Sequence, residues 1–171
     1  RTRKSAMTAP LQPSGKRIWD RCEALARCSE EPGALTRVFL SKEQRAANEL
    51  APAWMREAGM SARLDAIGNV VGRYEGTAAG AASLMLGSHL DTVRNAGKYD
   101  GMLGVVAAID CVHTLNARGI RLPFAIEVVG FADEEGVRFG ATLLGSRAIA
   151  GTLDSTLLDS RDGDGTTMRE A

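Results

Sequence analysis

The chain has 171 residues, 44% hydrophobic and 25% charged, with 21 Lys plus Arg balanced by 21 Asp plus Glu. That size suits one folded domain with its own core, and the absence of net charge argues against a nucleic-acid partner or an anionic membrane surface. No apolar run reaches the length of a membrane span, and no apolar stretch follows the basic start RTRKSAM as a secretory signal would need. Cys22, Cys28 and Cys111 lack metal or disulfide spacing, which fits a reduced, cytoplasmic compartment.

Residues 1–15 contain Pro10, Pro13 and Gly15 among small polar residues and read as a flexible arm. Over residues 16–28, Ile18, Trp19, Cys22, Leu25 and Ala26 recur at helical spacing. A second helix starts after Ser41, which has N-cap spacing to Gln44, and runs to Gly59; Pro52 inside it predicts a kink or a break. SARLDAIGNVVGRYEG reads as two short strands about a hairpin-like turn at Ile67, Gly68 and Asn69, and residues 77–82 as a loop. Leu84, Met85 and Leu86 begin a buried strand ending near Gly87 and His89. A helix over residues 101–118 follows, with Cys111 expected in the core, then a strand over 124–132, apolar except for Glu127 and therefore central in a sheet. A helix around 141–150 comes next. Thr167 and Glu170 have capping-box spacing, which announces a helix that the sequence leaves in its first turn. Strands alternating with helices predict an α/β fold with a largely parallel central sheet, in which function collects at the carboxyl ends of strands.

Three clusters carry chemistry: His89 and Asp91 in GSHLDTV, Asp100 in KYDG, and Asp133, Glu134 and Glu135 in FADEEG. Imidazole nitrogen and carboxylate oxygen are ligands for zinc and related divalent ions. In a His-x-Asp pair the aspartate can accept a hydrogen bond from the far ring nitrogen and fix the histidine's tautomer. Asp100 has two oxygens with which to bridge two ions. Adjacent glutamates at a strand end leave in different directions, so one can bind metal while the other serves as a base. Each cluster alone has a plainer reading: a histidine exposed at a strand end, an Asp-Gly turn, a solvated acidic loop. Their joint placement at three element junctions favours a metal site. No P-loop, dinucleotide fingerprint or nucleophile elbow is present.

HLDTV, then YDG, then DEEGVRFG with GSRAIAG behind it resembles the metallopeptidase superfamily of aminoacylases and carboxypeptidases. EEGVRFGATLLGSRAIAG, LTRVFLSKEQRAANELAPAWMREAGM and DAIGNVVGRYEG are similar to its hydantoinase/carbamoylase branch, which contains N-carbamoyl-L-amino-acid hydrolases, β-ureidopropionases and allantoate amidohydrolases. The resemblance covers nearly everything after residue 15. It implies a three-layer, zinc-exopeptidase-like sandwich of which residues 16–171 are an N-terminal part, the rest of the catalytic domain and a dimerisation and lid domain being absent. It implies two divalent ions (Zn, Mn or Co) per full-length subunit, with His89, Asp100 and Glu135 as ligands, Asp100 bridging, Asp91 orienting His89, and Glu134 as general base. The family's other two histidine ligands lie beyond this sequence; His113, the remaining histidine, reads as an ordinary helix residue. The implied reaction is hydrolysis of the ureido C–N bond of N-carbamoyl-L-amino acids or allantoate by a homodimer in the cytoplasm, the present chain being silent alone. An aminoacylase or dipeptidase is the alternative within the superfamily, and a non-catalytic metal-binding remnant the alternative outside it.

Overall fold

The computed structural model describes residues 12–78 and 80–171. The expected arm therefore lies mostly outside the described residues. At its end, Ser14 Oγ accepts the Arg17 amide at 3.2 Å and caps helix α1 (Gly15–Ala26). Ser41 does the same for α2 (Lys42–Glu57), accepting the Gln44 amide at 3.1 Å. α2 runs through Pro52 without the expected break. The penalty of about 3 kcal/mol for a proline inside a helix is offset by burial of Ala47, Ala51 and Met55 on the same face.

The remaining elements are β1 (Ser61–Leu64), β2 (Val70–Tyr74), β3 (Ser83–His89), α3 (Met102–Ala117), β4 (Ala125–Phe131) and the short α4 (Leu144–Ile149), followed by a 3-10 turn at Ser155–Asp159. The sheet order is β1-β2-β4-β3. β3 and β4 are parallel, joined through α3, whereas the β1–β2 hairpin adds to β4 antiparallel. The α/β class holds, but the expectation of a largely parallel sheet does not describe these four strands. A tight hairpin can only make an antiparallel pair, and this one supplies half of the sheet.

Helices α2 and α3 cover one face of the sheet, and α1 packs against α3. Cys22, Leu25, Met55, Val105, Ile109 and Val112 pack there with Val70, Tyr74, Ile126 and Val128. The opposite face is mixed: Ala125 and Val129 are fully buried there, beside Arg73 ion-paired to Glu127 at 3.1 Å and Ser83 Oγ donating to the same carboxylate at 3.0 Å. β4 is central and buried, as its apolar run predicts. β3 is not buried: it forms an edge, and Leu84 and Met85 are 48% and 43% exposed. β3 is the more polar strand, with Ser83, Ser88 and His89 among its residues, but the local run Leu84-Met85-Leu86 reads as buried because it does not say which strands lie beside it.

On α3, Cys111 is exposed and not in the core. Its neighbour Asp110 is fully buried, accepting the Ser14 amide at 2.6 Å and an ion pair from Arg17 Nε, and so fastens α1 to α3. A second, smaller cluster of Phe39, Ala132, Phe139, Ala141, Leu144 and Met168 lies beyond the end of β4. The Thr167–Glu170 box forms with both reciprocal bonds, at 2.9 and 3.3 Å, but caps only a turn whose Met168 is buried.

Candidate functional site

The parallel pairing of β3 with β4 sets His89 directly opposite Phe131. The carboxyl ends of the two strands therefore lie side by side, and the residues just after them meet. His89 is the last residue of β3; Asp133, Glu134 and Glu135 follow β4. Ligand atoms of His89, Glu134 and Glu135 all lie within 4.8 Å of one another. His89 Nε2 is 3.8 Å from Glu134 Oε2 and 3.7 Å from Asp100 Oδ1. Residues separated by up to 46 positions in sequence thus converge, with Asp100 approaching from the start of α3.

Asp100 is aimed by a γ-turn. The Met102 amide donates to the Asp100 carbonyl at 2.7 Å, and Gly101 between them has φ 66° and ψ −62°. That is the rare, strained form of the turn, open in practice to glycine. Gly101 has a second reason to lack a side chain: a Cβ there would overlap the His89 ring. Tyr99, next to Asp100, stacks obliquely on Trp19 of α1 with ring centroids 5.9 Å apart.

His89 Nδ1 lies 2.9 Å from the main-chain oxygen of Asp91. A carbonyl only accepts, so Nδ1 carries the proton and the Nε2 lone pair faces Asp100 and Glu134. The Asp91 carboxylate, expected to orient the ring, is 3.8 Å from Nδ1. Its oxygens instead accept the amides of Glu134 at 3.2 Å and Glu135 at 3.1 Å. Asp91 therefore governs both halves of the cluster, the histidine through its backbone and the glutamates through its side chain. Behind it, the fully buried Arg37 donates to the carbonyls of Leu90, Leu25 and Cys28 at 2.7–2.8 Å, and burial pulls its pKa down. The backbone of Arg37 holds Thr92 as well: Thr92 Oγ1 accepts the Arg37 amide, and the Thr92 amide donates to the Arg37 carbonyl, both at 2.9 Å.

Burial raises the Glu135 carboxyl; His89 opposes the shift, and Glu134, Asp100 and Asp91 add to it. Asp133 lies 1% exposed in a left-handed conformation, φ 45°, and its carboxylate has no close, well-aligned hydrogen bond among the described residues, the backbone amide of Gly136 alone acting on it to hold its pKa down. Burial, helped by the charge of Asp91, pushes it up to about 7. Crowded carboxylates with raised pKa values are what a cation site looks like before the cation's charge is added. Nitrogen and carboxylate oxygen donors in this number suit zinc, manganese or cobalt. His113 lies apart on α3, where burial lowers its pKa.

Sequence reasoning grouped Asp133 with the cluster but assigned it no part, and it placed Asn69 in a turn only. Asn69 is fully buried and reaches the backbone at Ala132 and Gly145. The signal was present in the hairpin's Asp65 and Asn69, but nothing local says that a turn residue is buried against another strand's end.

The model of peptidase family M28 matches residues 69–161. An N-carbamoyl-L-amino acid amidohydrolase of Geobacillus stearothermophilus is 45% identical over 92% of this chain and 39% of its own length. A probable allantoate deiminase of Oryza sativa subsp. japonica is 43% identical over 88% of this chain and 31% of its own. The crystal structure of a hydantoinase/carbamoylase family amidase from Burkholderia ambifaria superposes with a TM-score of 0.87 at 37% identity, over 94% of this chain and 40% of that one. The chain thus spans about two fifths or less of the length of these three relatives. With a family match over more than half of its residues, including Asn69, His89, Asp100 and the glutamate pair, the chain belongs to peptidase family M28.

Proposed function

We propose that this chain carries part of the site of a metal-dependent amidohydrolase that cleaves the ureido C–N bond of N-carbamoyl-L-amino acids or of allantoate. The supporting observation is the meeting of His89, Asp100, Glu134 and Glu135 at the carboxyl ends of two parallel strands. On this reading residues 16–171 form the N-terminal part of a di-metal catalytic domain, in a cytoplasmic homodimer. His89, Asp100 and Glu135 would hold divalent zinc, manganese or cobalt, and the two oxygens of Asp100 would be available to two ions. Bound there, such ions supply Lewis acidity to the ureido carbonyl and lower the pKa of water.

The chain's own residues do the rest. Asp91, through its carbonyl, keeps the Nδ1 proton on His89 and so leaves Nε2 unprotonated towards the ion. Through its carboxylate it fixes the two glutamate backbones. Glu134 takes a proton from the attacking water and returns it to the leaving nitrogen, which departs as ammonia. The neighbouring Glu135 binds and does not exchange protons.

The test is ammonia release by the full-length protein from allantoate, N-carbamoyl-β-alanine and several N-carbamoyl-L-amino acids, with and without a chelator. Glu134→Gln should abolish turnover and leave metal content nearly intact, whereas Glu135→Gln should shed at least one ion. Loss of metal in Glu134→Gln with retention in Glu135→Gln would reverse the two roles. Release of ammonia from none of these substrates, with turnover of acylated amino acids or dipeptides instead, would replace the ureido reading.

A further inference from the structure

We infer that Asn69 is a positioning residue for the glutamate pair, acting as an inserted peptide group that locks the turn from which Glu134 and Glu135 project. The inference rests on the proposed role of those two glutamates. Asn69 Oδ1 accepts the Ala132 amide at 2.8 Å. The Ala132 carbonyl accepts the Gly145 amide at 2.8 Å. The Gly145 carbonyl in turn accepts Asn69 Nδ2 at 3.1 Å. The main chains of Ala132 and Gly145 and the side-chain carboxamide of Asn69 close a ring of hydrogen bonds in which each of the three residues donates once and accepts once.

The ring is tightly enclosed. Asn69 is fully buried, and a Cβ on Gly145 would overlap Asn69 Oδ1 and the Ala132 nitrogen. The other Nδ2 hydrogen donates to Asp65 Oδ2 at 2.8 Å, while Asp65 Oδ1 accepts the amides of Ile67 and Asn69 at 3.1 and 2.8 Å. The carboxamide is thus anchored from the hairpin side and fully used. That orientation is forced: only oxygen can face the Ala132 amide, and only nitrogen can face a carboxylate and a carbonyl.

From this ring the constraint runs directly into the site. Asp133 and Glu134 carbonyls accept the Leu144 and Leu143 amides, both at 3.2 Å, and the Glu134 and Glu135 amides are held by Asp91. The turn is therefore gripped from one side by the strand that carries His89 and from the other by α4, and the Asn69 ring is where that second grip begins. A site of this kind depends on supports behind the ligands, whose loss typically costs about ten- to a hundredfold in metal affinity.

The experiment has three arms on the full chain. In the unsubstituted protein without metal, the Ala132 amide and the Asn69 side-chain amide protons should exchange with solvent far more slowly than those of exposed asparagines. Exchange at the free rate would overturn the ring. Next, Asn69→Asp keeps the acceptor for Ala132 but sets a carboxylate against Asp65 and the Gly145 carbonyl. It should weaken Zn²⁺ or Mn²⁺ binding about tenfold or more, and adding Asp65→Asn, which restores a donor between the two side chains, should recover part of that loss. A residue that merely stabilises the fold would lower the unfolding midpoint and leave the affinity of the folded molecules unchanged; that result would overturn the inference. Gly145→Ala, which displaces the carboxamide from the opposite side, should speed exchange at the Glu134 and Glu135 amides without any metal present. Unaltered exchange there would also overturn it. If the unsubstituted protein binds no metal, the reading of the site fails, and the exchange arms still decide whether Asn69 holds the turn.

Discussion

Gly101→Ala is the substitution whose cost can be worked out most directly. The backbone of Gly101, φ 66° and ψ −62°, closes a γ-turn that alanine enters at about 1–3 kcal/mol. The new methyl also overlaps the His89 imidazole, so the ring must move, and overpacking of this kind costs about 1–3 kcal/mol more. The expected loss of stability is about 2–6 kcal/mol from the two contributions together. Gly119→Ala separates them. Gly119 has a similar φ of 65°, but a methyl group there would meet nothing within 4 Å, so it carries the backbone cost alone. Urea unfolding with chelator present, followed by tryptophan emission, gives both stabilities, and calorimetric titration with Zn²⁺ gives affinities. Gly101→Ala should lose stability beyond Gly119→Ala and also bind metal more weakly, because Nε2 leaves its place facing Asp100 and Glu134. Equal losses in the two variants, with metal affinity unchanged in both, would refute the claim that Gly101 makes room for His89.

Other outcomes are expected. Asp133 sits at about 7 when folded and near its ordinary value when unfolded, so the folded state holds the extra proton between those values. Stability contributed by the neutral form is therefore lost as pH rises through that window. In metal-free protein, Asp133→Asn should flatten the decline in unfolding free energy between about pH 4 and about pH 7; an unchanged slope would assign the titration elsewhere. Asp110→Ala removes the acceptor for Ser14 and Arg17 and should cost about 2–3 kcal/mol in denaturant unfolding, since Arg17 is left a third exposed. Asp20→Asn breaks the exposed Lys16–Asp20 pair and should cost less than about 0.5 kcal/mol. A cost for Asp20→Asn as large as that for Asp110→Ala would mean that burial does not separate these pairs.

Much of the fold was legible because its signals are local. Ser14 lies just outside the predicted first helix and Ser41 at the start of the second, and both cap through side-chain oxygens. The apolar run of β4 pointed to a central strand, and the turn after Ile67 joins the two strands expected there. What was not legible depends on partners distant in sequence. The exposure of Leu84 and Met85 follows from strand order, which no property of β3 itself encodes. Pro52 reads as a breaker by propensity, and tertiary burial overrides it. At the site, the side chains and their convergence could be anticipated from ligand chemistry. The division of Asp91 into a carbonyl for His89 and a carboxylate for two amides could not, because either oxygen satisfies the same local pattern.

The oblique stack of Trp19 on Tyr99 gives this molecule an intrinsic optical reporter. Tyr99 is bonded to Asp100, so a ligand that shifts the Asp100 backbone also moves the phenol ring against the indole. Trp19 is 54% exposed, and its emission is sensitive to whether that ring shields it from water. The other indole, Trp54, lies beneath the Arg21 guanidinium at 5.2 Å, away from the stack, and can be silenced as Trp54→Phe. The occupancy of a site that has no colour of its own then becomes readable from a single fluorophore on the first helix.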